Sequence, residues 1–214
     1  VIEQNLQKIT SQIPPDVTLV AVSKTKPNSQ IMEAYNAGQR VFGENKVQDM
    51  AAKAALLPKD ISWHMIGHLQ TNKVKYIAPF VSLIHGIDSL KLLKEVNKRA
   101  AQNNRVIDCL LQLHIAQEET KFGLTTSEAK EVLNASIDLE NIRITGVMGM
   151  ASNTSNDNQV GAEFRGLKEF ALNLNKTMPL ITIVSMGMSN DYLTAIKAGS
   201  TMVRVGSAIF GKRN

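Results

Sequence analysis

Apolar, β-branched runs recur along the chain at VTLVAV (17–22), RVFG (40–43), SWHMIG (62–67), VSLIHGI (81–87), VIDCLLQLHI (106–115), IRITGVMGM (142–150), LITIVSMGM (180–188) and TMVRVG (201–206), eight runs in all. They are apolar throughout instead of alternating with polar residues, the pattern of parallel strands covered on both faces. Between them the spacing turns helical: NSQIMEAYNAG, ENKVQDMAAKAALL, LQTNKVKYIA, DSLKLLKEVNKRAAQ, TSEAKEVLNASI, NQVGAEFRGLKEFALNLNKT and NDYLTAIKAG. Several of these carry end signals. Asn28 and Ser29 are placed to cap the first, Asp88 the fourth, and Thr126 opens the fifth, while Gly38 and Gly199 stand where the first and seventh should stop.

Strands and helices that alternate in this way predict an α/β protein with a parallel sheet. Eight units in 214 residues fit a (β/α)8 TIM barrel of the small kind. The competing arrangement is an open doubly wound sheet. Against it, SKTKP follows the first strand where a dinucleotide fold would place a GxGxxG turn. No linker, repeat or low-complexity tract interrupts the chain, so one domain over residues 1–214 is expected, with residues 1–13 as an additional N-terminal helix.

In such a barrel, chemistry belongs at the carboxyl ends of the strands. Lys24 stands there after the first strand, Glu44-Asn45 after the second, and His64 to His68 at the third. His85 ends the fourth, Met148 to Ser152 the sixth, Ser185 to Asp191 the seventh, and Arg204 to Ser207 the eighth. Three familiar patterns do not survive inspection. GSAIFGKR (206–213) has Arg213 in place of the P-loop Ser/Thr and is expected to lack a following helix. GMSND (187–191) ends in Asp191 where a nucleophile elbow needs glycine. His64 and His68 are four apart, but on a strand end that spacing does not make a zinc face, so no metal is expected. His85 and His114 read as ordinary strand-end residues.

What remains is a phosphate site in the loops after the seventh and eighth strands, the place where barrels commonly hold one. Ser189 offers a hydroxyl beside backbone N–H groups, Gly206 lets the main chain approach an anion, and Ser207 adds a second hydroxyl. Taken singly, Ser189 reads as a helix cap and Gly206 as a turn; on adjacent strands they point to an anion. Arg204 lies inside an otherwise apolar strand. It either pairs with a carboxylate or faces an acceptor on a ligand, such as a ring nitrogen. Closing the barrel sets the eighth strand beside the first, and so brings Lys24 to this group. A lysine in a partly desolvated pocket near cations can attack a carbonyl. An aldehyde with a phosphate and a ring nitrogen is pyridoxal 5′-phosphate (PLP).

Composition narrows the field. The net charge is +5 and the pI about 9.3, but the basic residues are scattered and not interleaved with aromatics, which argues against nucleic acid and for a small anion. Cys109 is the single cysteine, so a reducing cytoplasm is expected. No apolar stretch approaches a membrane span, and the N-terminal stretch has no signal-peptide pattern.

AVSKTKP, FGENKVQ, WHMIGHLQTNK, GVMGMA, SMGMSNDY and VRVGSAIFG, in this order, resemble the pyridoxal phosphate homeostasis protein family. The likeness covers essentially the whole chain. The family is similar to the N-terminal barrel of fold-type III PLP enzymes such as alanine racemase. The resemblance implies that Lys24 holds PLP as a Schiff base and that Ser189, Gly206 and Ser207 hold its phosphate. It further implies that Arg204 faces the pyridine nitrogen while Asn45, His64 and Met148 line the pocket. An arginine there disfavours ring protonation and weakens PLP as an electron sink. The expected role is control of free PLP and vitamin B6 balance without robust catalysis, with PLP-dependent apoenzymes as recipients. The alternative is an amino-acid racemase. Racemases carry a further β domain that supplies a tyrosine base. This chain ends at Asn214, directly after the barrel, so that domain is expected to be absent and a monomer to result. None of Tyr35, Tyr76 and Tyr192 is an obvious replacement base. A barrel for another phosphate ester, without a Schiff base, is the third reading.

Overall fold

Eight parallel strands close on themselves in sequence order: β1 (Thr18–Val22), β2 (Val41–Glu44), β3 (Ser62–Met65), β4 (Leu83–Ile87), β5 (Ile107–Gln112), β6 (Ile142–Met148), β7 (Ile183–Met188) and β8 (Met202–Val205). This is the (β/α)8 barrel that the alternation predicts. The computed structural model describes residues 1–211. Lys212 and Arg213 of the GSAIFGKR stretch, and the terminal Asn214, lie outside the described residues. Closure comes from β1 on β8, with Thr18 opposite Met202, Val20 opposite Arg204 and Ala21 opposite Val205.

The outer ring consists of α1 (Ile2–Gln12), α2 (Asn28–Asn36), α3 (Val47–Leu56), α4 (Val74–Ile77), α5 (Leu90–Gln102), α6 (Thr126–Ala135), α7 (Asp157–Asn175), α8 (Tyr192–Lys197) and α9 (Ser207–Phe210). The helix α1 is the expected addition: Ile2, Leu6 and Ile9 are buried, and the Asn5 amide donates to the Ile209 carbonyl at 2.9 Å. The LQTNKVKYIA segment is not one helix but a 3-10 turn, Thr71–Lys73, leading into the single turn of α4.

Two apolar cores result from the alternation of side chains along each strand. The larger lies between the outer face of the sheet and the helices, with Phe42, Trp63, Ile84, Leu111, Val147, Phe164 and Val203 among its members. The smaller plugs the barrel itself and is made of Val20, Leu83, Leu110, Met148 and Met202. The strands are covered on both faces, which is why their sequences read as unbroken apolar runs.

Two helix caps differ from expectation by one residue or more. Pro27, not Asn28 or Ser29, precedes α2 and supplies no side-chain cap. Ser89 caps α5 by accepting from the Leu92 N–H, in place of Asp88. Thr126 opens α6 as expected, and Thr125 before it caps the helix in a reciprocal capping box with Glu128. Adjacent polar residues share cap propensity, and only the backbone turn selects among them. The two glycine stops are where expected: Gly38 and Gly199 have φ of +102° and +97°.

Gly146 tests the closeness of β6 and β7, since a Cβ there would lie 2.0 Å from the Ile183 carbonyl oxygen, whereas one on exposed Gly166 of α7 would meet nothing within 4 Å. Gly146→Ala should therefore destabilise the protein by about 3 kcal/mol. Gly166→Ala should stabilise it by roughly 0.5–1 kcal/mol through helix propensity. Urea unfolding of the two variants beside the parent measures both signs.

Candidate active-site mouth of the barrel

The residues that the interior plug places on the inner face determine what can line the barrel mouth. Val20 belongs to the plug, so Val22 and Lys24 follow it on the same parity. The Ser23 N–H still joins the ladder through the Gly43 carbonyl at 3.0 Å, which keeps that parity one residue past the strand. Lys24 itself opens a turn and is half-buried. Thr25 sits in the left-handed region at φ +65°. The Lys26 Nζ donates to the carbonyls of Phe210 and Gly211 at 3.1 and 3.2 Å. The turn carrying Lys24 is thereby tied to the segment that follows β8.

Arg204 is the second inward group, two residues after plug residue Met202. It is 3% exposed. Its Nη1 donates to Ser185 Oγ at 2.5 Å and its Nη2 to the Gly149 carbonyl at 3.3 Å. Among the described residues it makes no salt bridge, so a carboxylate partner is not the reason for its burial. Burial lowers its pKa to about 10, against the opposing charge of Asp191. It is still a cation at neutral pH.

From Arg204 a polar chain crosses the barrel. His85 Nδ1 lies 2.9 Å from Ser185 Oγ, and His85 Nε2 lies 3.0 Å from His64 Nδ1. One direction follows from what the groups can do: a guanidinium only donates, so Ser185 accepts from Arg204. The Ser185–His85 and His85–His64 contacts each carry one proton, on the side that the imidazole tautomers set. Both imidazoles can be neutral in this arrangement. Burial holds His64 down to about 4. Burial, then the neighbouring His64 and Arg204, push His85 well below the ordinary histidine range.

Near the end of β7, Gly187 has φ +100°, and a Cβ there would sit 2.6 Å from that of Ala195. Ser189 then lies in a turn, and Asp191, not Ser189, immediately precedes α8. The Ser189 hydroxyl instead accepts the Gly206 N–H at 3.1 Å. The loops after β7 and β8 therefore meet at these two groups, with exposed Ser207 next in sequence. The Asp191 carboxylate accepts from Met188 N–H at 2.6 Å; burial raises its pKa, which the Met188 N–H and Arg204 oppose.

Asn45 is half-buried on the inward parity of β2, four residues after Val41, which packs on the plug. The β3 loop passes so near that a Cβ on Gly67 would lie 2.5 Å from the Asn45 carbonyl oxygen. Met148 belongs to the plug, and Met150 is the partly buried methionine that packs against it. His68 is apart from His64: it stacks on Phe122 with ring centroids 4.1 Å apart and faces Asp88 at 3.4 Å. The His114 Nδ1 lies 2.7 Å from the Lys121 carbonyl oxygen.

His85 and Ser185 are the site residues that the strand-end reading passed over. Both were detectable as polar residues two positions after an inward apolar one, in strands otherwise apolar. A second omission is the buried pair Glu44 and Lys53, with Nζ–Oε1 2.5 Å. Their separation in sequence carries no signal, because one is on a strand and the other on a helix.

Comparisons with known proteins give the family. The family profile described as "Alanine racemase, N-terminal domain" matches residues 1–214. A pyridoxal phosphate homeostasis protein of Aquifex aeolicus is 41% identical over 197 residues, 91% of this chain and 86% of that protein. The structure of PipY from Synechococcus elongatus without PLP has a TM-score of 0.94 at 36% identity, covering 99% of this chain and 100% of that one. The same protein with PLP bound has a TM-score of 0.91. An alanine racemase of Clostridium difficile shares the barrel with a TM-score of 0.80, but at 12% identity and over 56% of its own length. The chain belongs to the pyridoxal phosphate homeostasis protein family, built on the barrel of the alanine racemase N-terminal domain.

Proposed function

We propose that this chain binds pyridoxal 5′-phosphate and acts in PLP homeostasis, as a single-domain, monomeric carrier for PLP-dependent apoenzymes and not as a robust catalyst. The observation that carries the reading is the buried Arg204 guanidinium, held by neutral partners on the inner face of a barrel whose first strand leads to Lys24. The relatives' name and the PLP-bound PipY structure support it.

The residues present fit the group part by part. The Ser189 oxygen accepts the Gly206 N–H and keeps its own proton to donate, and with the exposed Ser207 hydroxyl it forms a donor pair suited to a phosphate. At Gly206 the main chain runs close to β1, since a Cβ there would lie 3.2 Å from Val22. Arg204 suits a ring nitrogen that stays unprotonated, because a guanidinium donates and cannot accept. Lys24 supplies the amine. When bound, PLP contributes an aldehyde that joins a lysine amine with loss of water, and a ring whose electron demand depends on its protonation.

The surroundings favour holding over turnover. Arg204 keeps its charge at neutral pH, and the chain behind it ends in neutral imidazoles. A racemase also needs a second base, and the tyrosines are engaged elsewhere. The Tyr35 hydroxyl bonds Asp60, that of Tyr192 bonds Gln12 on α1, and Tyr76 is exposed beside Lys73 and Lys75.

The protein incubated with PLP should turn yellow, and borohydride reduction should leave the label on the peptide containing Lys24. Lys24→Ala should lose the visible band and that label; label on another lysine, or none in the parent, overturns the site. No exchange of the Cα hydrogen of added alanine with solvent is expected, and exchange that depends on Lys24 would favour the racemase.

The neutral imidazoles also set a pH dependence. His64 titrates near 6.5 when unfolded and near 4 when folded. Between those values the unfolded state binds more protons, so stability falls as pH drops from 6.5 to 4 and levels off below. The loss from His64 is on the order of 3 kcal/mol, and His85 acts in the same direction. Urea midpoints measured across this range should flatten in His64→Asn relative to the parent.

A further inference from the structure

Ser23 precedes Lys24, and all three of its polar groups are engaged. Its N–H donates to the Gly43 carbonyl at 3.0 Å. Its hydroxyl donates to Glu44 Oε1 at 2.7 Å, and its carbonyl accepts from Lys53 Nζ at 2.9 Å. Lys53 in turn bonds the same Glu44 oxygen. The Ser23 carbonyl and the Lys24 N–H belong to one planar peptide unit. The same carbonyl accepts the Lys26 N–H at 3.1 Å, so Lys53 and this turn bond together hold the plane from which the Lys24 side chain departs.

The arrangement is a poor way to gain stability. Glu44 is fully buried and Lys53 nearly so, and Glu44 Oε2 has no hydrogen-bond partner among the described residues. Apolar residues of similar volume commonly serve at least as well as a buried ion pair. Packing does not hold the turn either: a cavity of about 300 Å³, lined by Thr25, Asn28, Asp49, Ala52, Lys53 and Leu56, lies against it. A turn with Thr25 at positive φ, next to a cavity, takes its position from hydrogen bonds: Lys53 at Ser23, and Lys26 at the carbonyls of Phe210 and Gly211.

We propose that Glu44 and Lys53 are positioning residues for Lys24: through Ser23 they fix the peptide that aims the Lys24 amine into the barrel mouth. This rests on the reading of Lys24 as the PLP-holding lysine. The pair lies on the outer side of β2 and acts on Lys24 only through Ser23.

The test compares the parent, the double variant Glu44→Leu/Lys53→Met, and Lys53→Arg, whose guanidinium has room in the adjoining cavity. Total bound PLP is measured by equilibrium dialysis, and the borohydride-fixed fraction on Lys24 by peptide mapping. Amide exchange over residues 23–26 is followed in protein without PLP. Loss of a charged hydrogen bond predicts about tenfold faster exchange and about tenfold slower fixation per PLP bound in the double variant. Lys53→Arg should restore both. Should the double variant fail to fold, Glu44→Gln, which keeps the side chain's shape, should show the same direction at about threefold. Faster exchange with fixation unchanged overturns the positioning role, and so does exchange that does not move. A parent unlabelled at Lys24 overturns the PLP reading on which the role rests, whereas a parent and a variant labelled equally at Lys24 overturn the positioning role alone.

Discussion

Pairing of β1 with β8 is the contact on which the rest of the molecule depends. Without it the sheet has two open edges, and residues 24 and 204–207 belong to opposite ends of the chain. With Thr18 opposite Met202 and Val20 opposite Arg204, the loop after the first strand and the loop after the last become neighbours. Lys26 then reaches the carbonyls of Phe210 and Gly211, and α1 packs across the seam through Asn5 and Ile209. A closed barrel also removes both sheet edges, which would otherwise invite pairing with other chains.

Closure confines charge to a small space, and the interior deals with it by hydrogen-bond direction. One buried guanidinium donates into Ser185, which leads into two imidazoles that share a proton between them. Each member satisfies the next, so no second charge is needed. The result is a mouth with fixed positive charge on one side and neutral donors and acceptors on the other. Such a surface suits an anionic, aromatic guest held at several points.

The sequence's legibility differed from level to level. The eight strands could be read because each is buried on both faces, so burial itself wrote the apolar runs. Lys24, Arg204, Ser189 and Gly206 stood out because charge, hydroxyl and glycine are conspicuous at the end of such a run. His85 was equally visible but was passed over: a lone histidine at a strand end has no meaning until its partner across the barrel is known. The helix caps were misplaced by a residue or so at Asn28 and Asp88, since neighbouring polar side chains compete for the cap and the local turn decides. The acceptors of Lys26 were not legible, as they come from residues 210 and 211, nearly two hundred positions away.

What the sequence determined by itself is the alternation of elements, the barrel class and the strand ends that bear chemistry, because these follow from local periodicity and from residue type. The resemblance of its motifs to a known family added the homeostasis role and the residues lining the pocket. Only the tertiary structure decided the hydrogen-bond chain from Arg204 to His64 and the support of Ser23 by Glu44 and Lys53. Those contacts join residues 9 to 100 positions apart. No periodicity records such pairings, since they depend on strand register and on which helix packs behind which strand.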